Sequence, residues 1–558
     1  MKKAIIGQSD FKNIRIANAY YVDKSLFIEE ILDCPYQVIL IPRPRRFGKT
    51  INLSLLYHFF EKRDPDESTF FDGLAIKQTS VFQKHFSKYP VISLTFKDIK
   101  NESFDASIIK IARLIHVVLQ QHNYLLNWEH LSPVASQLFN KIINQKATIE
   151  DYEDSIQILS KELEKYHNKQ VIILIDEYDT PIHAAYINNF YNKMIGFMRN
   201  LLSGAFKDNS CLFKGVITGT LRVSKESIFT GLNNLGVFTL LEENFNECFG
   251  FTRDEVQHIL SDFGLSNHYE NVLKWYDGYN FSDTTILNPW SVMNFVSSRK
   301  KVFKPFWLNT SSMEMVEEVL TPYNKMLREE LNDLIEGKVI TKTIYDNIAF
   351  GDIKDSKSDL IWSFLLHSGY LNVLKEVEYS LRRKCQLQIP NLEVRIIYIE
   401  LVEKWIKNHI DLRQLEALLS SLKNGNITLF EKKLKATCLE IMSYHDFGDS
   451  PEKVYHALVL GMLVWLSNDY EIRSNRESGY GRYDIIFKPK DIDKKGIIIE
   501  FKLIDQDENS DEVLNSALKQ IDHKKYDTEL KAAGVNDILK IAVGFRGKSV
   551  YLKKGSES

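Results

Sequence analysis

The tightest constraint on this chain is an apolar run that stops at a basic, glycine-containing turn. Val38–Ile41 is followed by Pro42-Arg43-Pro44-Arg45-Arg46-Phe47-Gly48-Lys49-Thr50, and then by the apolar segment Ile51–Glu61. A short β-branched run, a tight turn and a helix-length apolar segment describe a strand feeding the N-terminus of a helix. There the backbone N–H groups of the turn and the first helical turn converge on phosphate oxygens. Gly48 permits close backbone approach, Lys49 reaches toward the β- and γ-phosphates, and Thr50 is placed to ligate Mg²⁺. The strict pattern G-x-x-x-x-G-K-[ST] is broken at its first position, where Arg43 stands. A merely basic loop is the alternative; the strand before it and the helix after it favour a phosphate loop.

A second run supports that reading. Val171–Ile175 ends in Asp176-Glu177. A buried strand ending in two carboxylates suits nucleotide hydrolysis, with Asp176 in the Mg²⁺ shell and Glu177 polarising the attacking water. Further on, Thr218-Gly-Thr-Leu-Arg222 follows the apolar Gly215–Thr218. A polar residue there is placed to sense the γ-phosphate. Arg222 reads either as an arginine finger that binds nucleotide or as a structural ion-pair partner. With Val91–Phe96, these strands are almost wholly apolar, as strands buried on both faces are. The amphipathic segments Ser107–Gln121 and Tyr152–Tyr166 lie between them. The expected fold class is α/β: a parallel sheet covered by helices.

Composition narrows the partners. Of 558 residues, 71 are basic and 74 acidic, a net charge of -3, so a general basic coat for nucleic acid is excluded while a local groove is not. With 44% hydrophobic residues the chain can bury cores rather than stay disordered. Cys34, Cys211, Cys248, Cys385 and Cys438 form no C-x-x-C pair, which speaks against a disulfide framework or a cysteine zinc site and fits a reducing compartment. The most apolar stretch, Ala457–Leu466, is too short to span a bilayer, and the N-terminus lacks a signal-peptide core. The expectation is a cytoplasmic protein with no membrane partner.

From about Phe251 to Ser450 charged and apolar residues recur at helical spacing, as in Arg413–Leu422, with one possible β segment at Ile396–Ile399. Around Pro451 the texture changes. An apolar helix over Val454–Leu466 precedes candidate strands Tyr483–Phe487 and Gly496–Phe501, a helix over Val513–Tyr526 and a strand over Leu539–Val543. The expected organisation is a P-loop domain over 1–240, a helical lid and connector over 241–450, and a small α/β domain over 451–558. In the last, Asp484 opens one apolar strand while Glu500 and Lys502, two residues apart, share a face of the next. Asp484 and Glu500 are candidate metal ligands, and Lys502 a candidate for orienting water or stabilising phosphoryl charge. This is the D-x(n)-E-x-K pattern of PD-(D/E)XK nucleases. Glu452 is a candidate fourth acid, and Gln520 with Tyr526 fits the accompanying Q-x(5)-Y pattern. The plain alternative is a solvated strand edge with Lys502 paired to Glu500. His456, His183 and the Trp275/Tyr276/Tyr279 cluster read as structural, and the lysine pairs Lys494-Lys495, Lys524-Lys525 and Lys553-Lys554 as solvated faces.

Together, Tyr21-Val-Asp-Lys24, Arg43-Pro-Arg-Arg-Phe-Gly-Lys-Thr50, Leu174-Ile-Asp-Glu-Tyr-Asp179 and Ser224-Lys-Glu-Ser-Ile-Phe-Thr-Gly-Leu-Asn-Asn234 resemble the AAA-ATPase-like family. So do Trp275-Tyr-Asp-Gly-Tyr279 and Asn288-Pro-Trp-Ser291. Members of this family are prokaryotic, lack the first P-loop glycine, and pair an ATPase module with a PD-(D/E)XK nuclease-like domain. The resemblance implies a P-loop ATPase core. The residues of the two sites point to ATP and Mg²⁺ as cofactors and to DNA or RNA as a partner, with homo-oligomerisation as an option. Beside a plain ATP-binding protein whose activity lies elsewhere, two functions remain open at this point. One is an ATP-hydrolysing enzyme with a metal-dependent nuclease-like domain. The other is a nucleotide-switched, STAND-like signalling or scaffold protein whose nuclease-like domain is inactive.

Overall fold

The computed structural model describes the chain except residues 1, 63–66, 222–227, 230, 308–329, 332, 336, 347–358, 379–382, 408–411, 444–465, 467–468, 475–483, 524–526, 547–548 and 556–558. At some further positions, Asp484 and Cys438 among them, the backbone alone is described. Arg222, Glu452, His456, Tyr526 and most of Val454–Leu466 lie outside the described residues. The chain divides into two compact units, 1–319 with 339–394, and 320–338 with 395–558.

The first unit is built on a parallel sheet. Its strands are β1 (Val38–Pro42), β2 (Val91–Thr95), β3 (Val171–Asp176), β4 (Leu212–Gly219) and β5 (Leu235–Val237), in the order β2-β3-β4-β1-β5. Every residue of β1 and β3 is buried, as their unbroken apolar composition requires. The helices Phe104–Gln121 and Ile149–His167 fall where the 3.6-residue spacing puts them. A Ser103 side chain caps the first and a Thr148/Asp151 capping box opens the second. The register pairs Ile41 with Thr218 and Thr95 with Asp176, so the carboxyl ends of four neighbouring strands open at one edge. Ligands of open parallel sheets bind at that edge.

The middle of the chain is helical, with more strand than its spacing suggests. Three short strands, β6 (Phe251–Thr252), β7 (Tyr279–Phe281) and β8 (Thr284–Leu287), form an antiparallel sheet. Another sheet is made of β9 (Ile340–Ile344), β10 (Asn372–Glu378) and β11 (Arg383–Gln388). The possible β segment Ile396–Ile399 is corrected: it lies inside the helix Leu392–Lys407. Its β-branched run is overruled by burial of Val394, Ile397 and Tyr398 at helical spacing. The aromatic cluster is core, as expected: Tyr276 and Tyr279 are buried, and Trp275 stacks on Phe303. The described cysteines Cys34, Cys211, Cys248 and Cys385 are free thiols. Among the described residues, no helix is long and apolar enough to cross a membrane.

The second unit carries a mixed sheet, β12 (Tyr470–Ser474), β13 (Asp484–Pro489), β14 (Gly496–Leu503), β15 (Ile538–Arg546) and β16 (Ser549–Lys554), in that order. One face presents Ile485, Phe487, Ile497, Ile499, Ile541 and Val543 to the helices Leu412–Lys423 and Ile427–Ser443, through Leu415, Leu418, Leu422 and Phe430. These two helices were expected in the connector; they close the core of this unit. The other face presents Ile486, Ile498 and Ala542 to the helix Ser510–His523. Period-two alternation along β14 thus puts Ile498, Glu500 and Lys502 on this second face.

Gly278 occupies a position in Trp275-Tyr-Asp-Gly-Tyr279 that needs glycine. Its φ is +93°, and a Cβ there would lie 2.2 Å from the Pro390 carbonyl oxygen. Gly278→Ala must strain the left-handed backbone and displace another backbone segment. It is expected to cost on the order of 3 kcal/mol in urea unfolding. A change below about 0.5 kcal/mol would contradict this account.

Candidate nucleotide and metal sites

The loop between β1 and the helix Lys49–Phe60 is held from several sides. Arg43, the departure from the glycine pattern, is wholly buried. Its guanidinium donates to the carbonyls of Pro42 (2.9 Å), Phe238 (2.7 Å) and Phe245 (3.1 Å), and lies over the rings of Phe249 and Phe281. Arg43 therefore faces inward and ties the loop to the chain after β5. Gly48 has φ +90°, a left-handed conformation that glycine adopts without strain, and caps the helix. Trp307 donates its indole N–H to the Arg45 carbonyl at 3.2 Å, and the Arg46 guanidinium lies 4.1 Å from the Trp290 ring centroid.

Within this frame Lys49 is 5% exposed and donates to the carbonyls of Arg43 (2.9 Å) and Pro44 (3.0 Å). Burial holds its ammonium below the ordinary lysine range, opposed by the charges of Glu177, Asp176 and Asp179. Asp176 accepts the Thr50 hydroxyl at 2.7 Å on one oxygen and the Thr218 hydroxyl at 2.6 Å on the other. Burial raises its carboxyl above the usual range, while the two hydroxyl bonds pull it down. Glu177 sits in the left-handed region, φ 51°, and accepts from the Thr180 hydroxyl at 3.1 Å. A cavity of about 520 Å³ is lined by Arg45, Arg46, Gly48, Lys49, Thr50 and Glu177, and its wall continues over Tyr20, Phe251, Trp290 and Met293. Polar loop on one side and apolar wall on the other suit a nucleotide.

The structure thus gathers Gly48, Lys49, Thr50, Asp176 and Glu177 at one end of the sheet. Arg222 lies outside the described residues. Sequence reasoning passed over Asp179, whose buried carboxylate accepts the N–H groups of Thr220 (2.8 Å) and Leu221 (2.9 Å) and so holds the turn after β4. An acid three positions after Asp176 was the signal. It assigned no role to Trp290, although the Asn288-Pro-Trp-Ser291 segment was singled out, and it passed over Trp307, which no local pattern marks. The hydroxyl of Thr50 against the carboxylate of Asp176 is a hard-oxygen pair that fits Mg²⁺.

The second candidate site lies on β14. Glu500 is 0% exposed, and among the described residues neither carboxylate oxygen has a hydrogen-bond partner. Lys502 approaches one of them at 2.9 Å as an ion pair and donates to the Gln520 side-chain carbonyl at 2.7 Å. Asp484 is the register partner of Glu500 on β13, which places both positions on one face. A buried carboxylate is costly unless a cation balances it; Lys502 supplies one positive charge, and a second acid position, 484, on the same face calls for another. The donor set therefore fits a divalent metal, with Glu500 and position 484 as its holders. Among the described side chains, no ready-made cluster of three metal-ligating groups occurs.

A buried acid behind the loop has a pH consequence. Glu393 accepts the Ser291 hydroxyl at 2.9 and 2.8 Å and the Trp307 backbone N–H at 2.8 Å. Burial pushes its carboxyl up to about 7, against the pull of these bonds. The folded state then holds a proton that the unfolded chain releases at the ordinary carboxyl value. Its contribution to stability is complete below that value and is lost as pH rises through about 7. Urea unfolding is expected to show wild type losing on the order of 3 kcal/mol, relative to Glu393→Gln, between about pH 4 and about pH 8. Parallel pH curves would exclude the effect.

Two family models match the chain, one toward each end. Residues 5–229 match the family described as predicted AAA-ATPase, and residues 450–555 match the PD-(D/E)XK nuclease superfamily. An uncharacterised protein from the vnfD 5′ region of Azotobacter chroococcum mcd 1 is 24% identical over 401 residues, covering 71% of this chain and 68% of that protein. The chain joins an AAA-ATPase-like P-loop domain to a C-terminal domain of the PD-(D/E)XK nuclease superfamily.

Proposed function

We propose that this protein binds and hydrolyses ATP at Gly48, Lys49, Thr50, Asp176 and Glu177, and that its C-terminal domain cleaves phosphodiesters of nucleic acid with Asp484, Glu500 and Lys502. The three-part division at residues 240 and 450 belongs to the same reading. The single observation that carries it is the fully buried Glu500 carboxylate paired with Lys502, on a chain whose other unit gathers Lys49, Thr50 and Glu177 around one cavity. Magnesium would neutralise phosphate charge at both sites and, on the nuclease side, make a water more acidic. Lys49 supplies a buried cation for the phosphate oxygens, and Glu177 is positioned to take a proton from the attacking water. On β14, Lys502 is the cation beside the acid, placed to stabilise charge that develops on the phosphoryl group.

The net charge of -3 implies that nucleic-acid affinity comes from a local groove and falls steeply with salt. Nuclease and ATPase rates measured on one preparation with Mg²⁺ or Mn²⁺ test the proposal. Asp484→Ala and Lys502→Ala are expected to lower cleavage at least ~100-fold and leave ATP turnover intact. Lys49→Ala is expected to abolish ATP turnover. Cleavage that survives both C-terminal changes would refute the nuclease assignment.

A further inference from the structure

The phosphate loop carries a cation that the nucleotide-binding pattern does not require. Arg46 lies between Arg43, which faces inward, and Lys49, which is buried. Unlike them, Arg46 is exposed and lines the cavity. Its backbone φ is +68°, an unfavourable value for a side-chain-bearing residue and one that a loop keeps only when its surroundings enforce it. The surroundings do enforce it here. The guanidinium sits 4.1 Å from the Trp290 ring centroid, and Trp290 is itself locked by an N–H bond of 3.2 Å to the Phe306 carbonyl. Asn288 caps the helix Pro289–Ser297 on which Trp290 stands, accepting from the N–H groups of Trp290 and Ser291. One residue earlier, the Trp307 indole holds the Arg45 carbonyl. Glu177 lines the same cavity, and its charge acts on Arg46 as it does on Lys49.

From this arrangement we infer that Arg46 is a catalytic residue of ATP hydrolysis: a built-in arginine finger, carried by the phosphate loop and parked on Trp290 until a γ-phosphate arrives. The inference rests on the proposed ATPase reading. In the reaction the water oxygen forms a bond to the γ-phosphorus, and the bond from that phosphorus to the bridging oxygen breaks. The bond electrons leave with ADP, and the water proton goes to Glu177. Negative charge gathers on the γ-phosphoryl and bridging oxygens, and the planar five-donor fork of Arg46 is suited to hold it. Parking on an aromatic face keeps the cation near the site at modest cost, since such contacts are weak where water reaches them. Arg222 need not be the arginine that serves this purpose.

Steady-state ATP turnover, ADP affinity by calorimetry, and trapping of ADP with aluminium fluoride, a mimic of the transferring phosphoryl group, test the inference. They are to be measured on full-length wild type, Arg46→Ala, Arg46→Lys and Trp290→Phe, with Lys49→Ala as the inactive reference. Arg46→Ala is expected to lose at least ~100-fold in kcat, to change ADP affinity less than about threefold, and to lose aluminium fluoride trapping. Arg46→Lys keeps the charge without the fork and is expected to recover part of kcat. Trp290→Phe keeps a ring and is expected to fall between wild type and Arg46→Ala. Wild-type turnover in Arg46→Ala beside an inactive Lys49→Ala would overturn the role of Arg46 while the ATPase reading stands. Equal losses of kcat and ADP affinity would also overturn it, by making Arg46 a ground-state binding residue. A wild-type protein that hydrolyses no ATP would overturn both.

Discussion

The first unit depends on one carboxylate. Asp176 ends β3 and receives the hydroxyls of Thr50, at the start of the helix after the phosphate loop, and of Thr218, near the end of β4. Three elements that meet nowhere else in sequence are thereby fixed at one point. The carboxylate is buried enough that its charge is costly, and the two hydroxyl bonds offset only part of that. Such a group is poised for a cation. A divalent ion adds charge where the site lacks it, and the same oxygens then serve as ligands rather than as each other's partners.

The loop beside it is stiffened by groups that resemble phosphate ligands in sequence and act otherwise. Arg43 stands where a glycine is usual, yet its side chain runs inward to three backbone carbonyls and two aromatic faces. The backbone at that position is thus anchored by an arginine rather than freed by a glycine. Trp307 and Trp290 grip the next residues from the other side. Trp307 and Ser291 both donate to the buried Glu393, and Trp290 is held by Asn288 and Phe306, so the loop is supported by residues far from it in sequence. Preorganisation of this kind is what electrostatic catalysis of phosphoryl transfer requires.

What the residues disclosed in advance follows from how local each signal is. The strand-turn-helix around Gly48 and the strand ending at Asp176 are local patterns, and their positions were legible to within one or two residues. The face shared by Glu500 and Lys502 follows from the two-residue period of a strand, and the ion pair between them agrees with it. The strands β6–β8, of two to four residues, were hidden because each is too brief for its alternation to stand out, whereas β9–β11 mix charged, polar and apolar residues as the neighbouring helical segments do. Ile396–Ile399 misled because β-branched residues also fill buried helices. Trp307 and Glu393 were illegible, and the role of Trp290 was hidden within a recognised motif, because all three act through tertiary contacts across long stretches of chain. Asp179 sat in plain view, but its role depends on where the turn after β4 comes to lie.

The central claim is that Asp176 and Thr50 complete a nucleotide site that needs a divalent cation. Calorimetric titration of ATP, with Mg²⁺ and with the ion chelated, addresses it directly. Wild type is expected to bind ATP, to lose at least ~10-fold in affinity without Mg²⁺, and to show no such difference once Thr50 is changed to Ala. Binding that is absent in wild type, or equally strong with and without Mg²⁺, would contradict the account.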